Sequence, residues 1–200
     1  MKYKTKKECR VYKNLFNDAF KYVNTQINDY NFYFRLIGSA KRNLVLDKQN
    51  KGFDFDYQII FFSSLVGEGS DALIDIKRRF RVLFDDFFIQ RGYKNGEDST
   101  SAITIKKMEN RVIQHSYDIT LMTPNSEGSL CIFKYNDKEK TRMGLNEMKN
   151  SVMFKEKYKE IKGAQKWSEL RIDYKKRQED WNGEKKSFSI LMEVVNDIEL

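Results

Sequence analysis

The chain has 200 residues, which fits one domain, or one domain with a helical appendage, and is long enough to bury a core. With 40% hydrophobic, 33% charged and 14% aromatic residues and one proline, its composition excludes a disordered or fibrous chain. The N-terminus, Met1-Lys2-Tyr3-Lys4-Thr5-Lys6-Lys7-Glu8, lacks the apolar core of a signal peptide and no later run spans a bilayer, so a soluble, cytoplasmic protein without a membrane partner is expected.

The net charge of +8 favours a polyanionic partner, whether a triphosphate, RNA or DNA. The excess is uneven: residues 1–13 carry six Lys/Arg against one Glu, and residues 155–186 carry eleven against seven acids. Each patch also reads as the solvated face of a helix. Cys9 and Cys131 lie far apart, with no second Cys or His close enough for a zinc knuckle, and are read as free thiols.

From Lys6 to Tyr30, apolar residues recur at Val11, Leu15, Ala19, Val23, Ile27 and Tyr30, the spacing of a helix with one buried face. Asn31 to Ile37 turns aromatic and branched, suiting a strand that stops at Gly38, and a short helix follows Ser39. Phe53 to Phe62 alternates between apolar and polar in its first half and is continuously apolar in its second, a strand with one end exposed. Gly67 and Gly69 break it and Ser70 can cap a helix whose stripe is Leu73, Ile76, Phe80, Leu83, Phe84 and Phe87, closed by Gly92. Ala102 to Ile105, Val112 to Met122 and Ser129 to Tyr135 read as further strands, turning at Glu109-Asn110 and at Pro124 to Gly128. After Gly144 the chain is lysine-rich and helix-prone from about Asn146 to Trp181, Gly163 apart. The expected fold is α+β: a mixed, largely antiparallel sheet of about five strands flanked by helices, with a core over 1–144 and a helical, lysine-rich extension over 145–200.

Asp54 and Asp56 stand two apart on a strand, so both carboxylates leave the same face about 6–7 Å apart at their Cα atoms. Nucleotidyl transfer needs oxygen ligands for two divalent ions about 4 Å apart, which two aspartates can bridge and a third carboxylate completes. An Asp-x-Asp alone reads as the solvent face of a strand. Gly38-Ser39 alters that reading, because it ends the preceding strand at a sharp turn where backbone amides and a hydroxyl can hold phosphate oxygens, with Lys41 and Arg42 immediately behind. Those two either pair with phosphates or solvate a helix start, phosphate contact being preferred for at least one.

Leu36-Ile37-Gly38-Ser39-Ala40-Lys41-Arg42-Asn43-Leu44 with Gly52-Phe53-Asp54-Phe55-Asp56-Tyr57 resembles the signature of the DNA polymerase beta-like nucleotidyltransferase superfamily. The likeness covers about residues 30–125. That family's third carboxylate comes from a later strand bordered by apolar residues, and His115-Ser116-Tyr117-Asp118-Ile119-Thr120-Leu121 is similar to that pattern. The nearest subgroup holds the oligoadenylate synthases and bacterial cyclic-oligonucleotide synthases, in which Gly-Ser is followed by one or two basic residues and Gly-Thr; here Asn43-Leu44 stands in place of Gly-Thr.

The resemblance implies a nucleotidyltransferase that uses two Mg²⁺ or Mn²⁺ ions. Asp54 and Asp56 would hold both, Asp118 would be the third ligand and help deprotonate the acceptor hydroxyl, and Ser39 with the Gly38 backbone would contact the terminal phosphates. The donor would be a nucleoside triphosphate, ATP or GTP, and the acceptor a nucleotide, an RNA or other nucleic acid, a protein or a small molecule. Lysines of 155–186 would add a phosphate contact, as a helix behind the triphosphate does in this family. His115 shares a strand face with Tyr117, opposite that of Asp118, and reads as structural. Trp167, Trp181 and Tyr57 are the residues able to stack on a base, packing being the preferred role for each. Two alternatives remain: a catalytically silent nucleotide- or nucleic-acid-binding regulator on the same fold, such as a toxin-antitoxin component, and a basic RNA-binding domain. The second gives no reason for two aspartates beside a Gly-Ser turn.

Overall fold

The computed structural model describes residues 1–48, 52–148, 152–180 and 187–199. After the two-residue strand β1 (Lys2–Tyr3), Thr5 opens α1 (Lys6–Gln26) through a capping box. The Thr5 hydroxyl accepts from the Glu8 N–H at 3.2 Å, and the Glu8 carboxylate accepts from the Thr5 N–H at 2.6 Å. The helix ends at Gln26, short of Tyr30, and its buried seam is Cys9, Phe16, Ala19 and Val23. Val11, expected in the stripe, is 68% exposed. The seam runs through aromatic positions such as Phe16 because a ring contributes far more apolar area than the valine it displaces.

Strand β2 (Phe32–Leu36) leads into a one-turn helix, α2 (Gly38–Arg42), and then to the short strand β3 (Leu46–Asp47). Strand β4 (Phe53–Phe61) precedes α3 (Ser70–Ile89). Ser70 does not cap this helix: Gly69 holds the cap position without a side-chain bond, and the Ser70 hydroxyl accepts from the Met143 N–H at 2.8 Å. Helix α3 buries the expected Leu73, Ile76, Phe80, Phe84 and Phe87, and also Lys77, whose ammonium reaches Asp98 at 2.6 Å and donates to the Ser99 carbonyl at 2.9 Å.

Strands β5 (Glu97–Asp98), β6 (Ala102–Glu109), β7 (Val112–Pro124), β8 (Leu130–Tyr135) and β9 (Met143–Glu147) complete the sheet. The β6–β7 turn falls on Asn110-Arg111, one residue later than expected, and both take left-handed φ values of 49° and 63°. Seven strands join in one sheet in the order β2-β4-β7-β6-β5, with β8 pairing the end of β7 and β9 pairing β8. Within this sheet β4 and β7 run parallel, and the other pairs among the described residues are antiparallel.

Alternation along β4 sends Phe53, Phe55, Tyr57, Ile59 and Phe61 into the core. There the Phe16 ring stacks on Tyr57 with centroids 3.5 Å apart and planes within 6°, and Phe84 stacks behind it. Phe80, Phe88, Tyr117 and Phe133 close the layer. His115 belongs to it as well: its Nε2 bonds Tyr93 Oη at 2.7 Å, its ring faces Tyr12 and Phe53, and burial with the nearby Lys107 and Lys4 charges pushes its pKa down to about 4, so it stays neutral.

The chain divides into two units, Tyr3–Met148 and Met1–Lys2 with Lys149–Leu200. Asn146, expected to begin the helical run, lies in β9; the first helix beyond the sheet is α4 (Val152–Gly163), followed by α5 (Trp167–Glu179) and α6 (Ser187–Asp197). In that second unit Arg177 bridges Asp173 and Asp197 at 2.8 Å each, and the N-terminal ammonium meets Glu179 at 2.7 Å. Trp167 packs edge-on against Tyr158; Trp181 lies outside the described residues. No helix among the described residues is long and apolar enough to cross a membrane.

The phase of α1 is testable. Phe16→Ala should cost about 3–5 kcal/mol in denaturant titration followed by aromatic fluorescence, while Val11→Ala should stay within about 0.5 kcal/mol of the parent. Equal losses for both would mean that the seam has been placed on the wrong face.

Candidate functional site

The face of β4 turned away from the aromatic layer carries Asp54, Asp56 and Gln58. Because β4 and β7 are parallel with Asp54 opposite Ser116 and Asp56 opposite Asp118, the third carboxylate emerges on the same face. Ligand oxygens of Asp54, Asp56 and Asp118 all lie within 4.8 Å of one another. None of the three forms a salt bridge with Lys or Arg among the described residues.

The Gly38-Ser39 turn is tied directly to this group. The Ile37 N–H donates to the Asp56 carbonyl at 2.9 Å, which lays Gly38 over the Asp56 side chain. Gly38 has φ +63°, and a Cβ there would fall 1.8 Å from Asp56 Oδ2, so no other residue leaves the carboxylate where it is. The amine of Lys13 on α1 donates to the Ala40 carbonyl at 3.3 Å, anchoring the turn from the helix side. Asn43, standing where the resembled subgroup has Gly, ends α2 at φ 57°, ψ 40°. Asn tolerates this left-handed conformation better than most residues, so the departure is conformationally mild.

The four residues expected at phosphates stand together on this turn but differ in exposure. Ser39 is half-buried and its hydroxyl has no hydrogen-bond partner among the described residues; Lys41 is exposed. Arg42 is half-buried, donates from Nη1 to the Gly38 carbonyl at 2.9 Å, and sets its charge near Asp56. Tyr57 cannot stack on a base, since it is 1% exposed and faces the core.

Burial raises all three carboxyls. Burial pushes Asp56 up to about 7, with the Asp54 and Asp118 charges adding and Arg42 opposing. Burial likewise raises Asp54, against the Lys48 charge and a backbone hydrogen bond. Asp118 is raised by burial although Thr104 Oγ1 donates to its Oδ1 at 2.6 Å. Four neighbours were not singled out from the sequence: Lys48, Thr104, Lys106 and Glu97. Thr104 and Lys106 share a face of β6 and stand opposite Asp118 and Ser116, so alternation would have put both on the side of Asp118 had the β6–β7 register been known.

By sequence, no family model and no curated protein matches the chain. Solved structures do match in fold. DncV of Vibrio cholerae in its GTP-bound form is 13% identical, covered over 94% of this chain and 53% of its own, with a TM-score of 0.58. DncV of Escherichia coli bound to 3'-deoxy GTP is 13% identical over 99% and 55%, with a TM-score of 0.55. The Vibrio cholerae DncV cyclic AMP-GMP synthase with the linear intermediate 5' pppA(3',5')pG is 12% identical over 94% and 58%, with a TM-score of 0.56. The chain spans about half the length of these structures and has their nucleotidyltransferase fold, the architecture expected from the sequence resemblance.

The raised Asp56 carboxyl has a consequence for stability. An aspartate whose pKa is about 7 when folded and 3.8 otherwise costs nothing below pH 4 and progressively more up to about pH 7. In chelator, Asp56→Asn should therefore leave the melting temperature unchanged at pH 4 and raise it at pH 8 by about 4–8 °C, or roughly 2 kcal/mol. Thermal melts at the two pH values check this; a gain at pH 4 as large as that at pH 8 would mean that the cost does not come from the Asp56 charge.

Proposed function

We propose that this chain is a nucleotidyltransferase that moves a nucleoside monophosphate from a nucleoside triphosphate to a hydroxyl acceptor with the help of two divalent ions. The observation that carries the reading is the convergence of the Asp54, Asp56 and Asp118 oxygens within 4.8 Å, directly beneath the Gly38-Ser39 turn. Three carboxylates without a salt-bridge partner among the described residues form a hard oxygen donor set of the kind Mg²⁺ and Mn²⁺ take. When bound, such ions would supply Lewis acidity at the reacting phosphoryl group, an acidified acceptor hydroxyl and charge for the departing pyrophosphate.

The chain's own groups divide the remaining work. Asp54 and Asp56 would hold both ions; Asp118 would complete the acceptor side and assist removal of the hydroxyl proton. The Ser39 hydroxyl and the Gly38 backbone would contact the terminal phosphates, since the missing side chain at Gly38 allows a close approach. Lys41 is free to reach outward toward those phosphates, whereas Arg42 acts from behind the turn, where it already offsets Asp56. The fold-level neighbours carry GTP, 3'-deoxy GTP or a linear dinucleotide intermediate, which supports a nucleoside triphosphate, ATP or GTP, as donor; for the acceptor we take a nucleotide or an RNA. The site residues all lie in the Tyr3–Met148 unit, to which we assign the chemistry, in the cytoplasm.

Incubation with each labelled nucleoside triphosphate and Mg²⁺ or Mn²⁺, alone and with RNA, should yield a transfer product that Asp56→Asn and Asp118→Asn reduce by on the order of 10³-fold. Binding of triphosphate without any product would replace the enzyme with a silent nucleotide-binding regulator.

The phosphate assignment has its own test. Ser39→Ala with Lys41→Ala and Arg42→Ala should weaken triphosphate binding about 10–100-fold and monophosphate binding no more than about 2–3-fold, by titration in Mg²⁺. Equal losses for the two ligands would reduce the turn to a strand-to-helix junction.

A further inference from the structure

We propose that Thr104 is a positioning residue for the third carboxylate, holding Asp118 in one orientation so that its second oxygen faces the metal site. The inference rests on the two-metal reading above. Thr104 stands directly opposite Asp118 in the β6–β7 ladder, and its hydroxyl donates to Asp118 Oδ1 at 2.6 Å, a short, charge-assisted bond. It is the hydrogen bond made by that carboxylate within the described residues. Without it the terminal torsion of an aspartate is broad, and either oxygen could turn to the site. Threonine suits the task, since its β-branched side chain is stiff at χ1 and a strand position holds its backbone.

The neighbours are arranged to leave this bond undisturbed. Lys106, two residues on and on the same face of β6, is close enough for its charge to act on Asp118, yet its ammonium is held by Glu97 at 2.6 Å. Glu97 lies on β5, directly opposite Thr104. The lysine is thus kept from capping the carboxylate with a salt bridge, and Thr104 alone orients it. Asp56 is fixed differently, by the bare α-carbon of Gly38 above it. Each half of the carboxylate group therefore has its own device for setting an oxygen in place.

The test compares Thr104→Val, which keeps shape and removes the donor, with Thr104→Ser, which keeps the donor, in the full chain. Mn²⁺ binding is measured by calorimetry and transfer by steady-state kinetics, with circular dichroism to verify folding. Thr104→Val should weaken the weaker of two Mn²⁺ sites about 10–100-fold and lower kcat by a similar factor, with KM for the triphosphate within about two-fold. Thr104→Ser should restore both. Should the valine variant not fold, Thr104→Cys, close in volume and a weak donor, carries the same expectation. Wild-type Mn²⁺ affinity in the valine variant, or a serine variant as weak as the valine one, overturns the proposal. Asp118→Asn separates the two levels: if it too binds Mn²⁺ like the parent, the two-metal reading itself has failed, whereas a loss there with none in Thr104→Val rejects Thr104 alone.

Discussion

Three carboxylates crowded within 4.8 Å on one face of a sheet repel one another, and the rest of the molecule has to hold them against that repulsion. Burial and the neighbouring charges already raise the Asp56 carboxyl, and side chains left to themselves would rotate apart. What prevents this is the parallel pairing of β4 with β7, which sets Asp56 opposite Asp118, and the turn before β4, which closes over Asp56 through a glycine. The cost of crowding is local, and the restraint is distributed over the sheet.

That restraint comes from the opposite face. A strand shifted by one residue turns every side chain over, so the site depends on a core that accepts only one phase of β4 and β7. The stacked Phe16 and Tyr57, with Phe55, Phe84, Phe88 and Tyr117 around them, supply it. Each aromatic on β4 would meet water, and each aspartate the core, if the strand slipped. The Tyr117 hydroxyl, donating to the Tyr12 carbonyl at 2.9 Å, adds a polar check on the same register from α1.

Much of this was legible in the residues. The alternation in Phe53-Asp54-Phe55-Asp56 already assigns the aspartates to a common face, and the Gly38-Ser39 break in an aromatic strand marks the turn. Asp118 followed from its apolar borders and the family likeness, not from alternation alone, since alternation says nothing about which strands are neighbours. For that reason Thr104 and Lys106, one strand further out, carried no signal. Val11 was misplaced because a valine at helical spacing looks apolar whichever way the helix turns, and only the bulk of Phe16 decides the phase. Lys77 was passed over because a lysine within a hydrophobic stripe reads as a boundary, whereas here Asp98 supplies its counter-charge inside. Strand β9 was missed because Met143-Gly144-Leu145-Asn146-Glu147 is too short and polar to stand out; it forms because β8 offers it an edge.

The charge distribution gives the site a direction of assembly. The chain carries +8 overall, but charges more than about 8 Å away are largely screened at physiological salt, so a triphosphate near the site responds to what is close by. Close by are Asp54, Asp56 and Asp118, opposed by Arg42, Lys48 and Lys106, with Glu97 cancelling the last. With Lys41 at the rim, four acids face four bases, so the acids are concentrated at the centre of a site whose surroundings balance them. Under the two-metal reading, divalent ions would enter at the central acids and a polyphosphate would meet the cations around them. The basic excess of the whole chain acts at longer range and low salt, raising the rate of encounter with a polyanion without selecting where it binds. On the proposed reading, selection would belong to the carboxylate cluster, which would take a nucleoside triphosphate together with its cations.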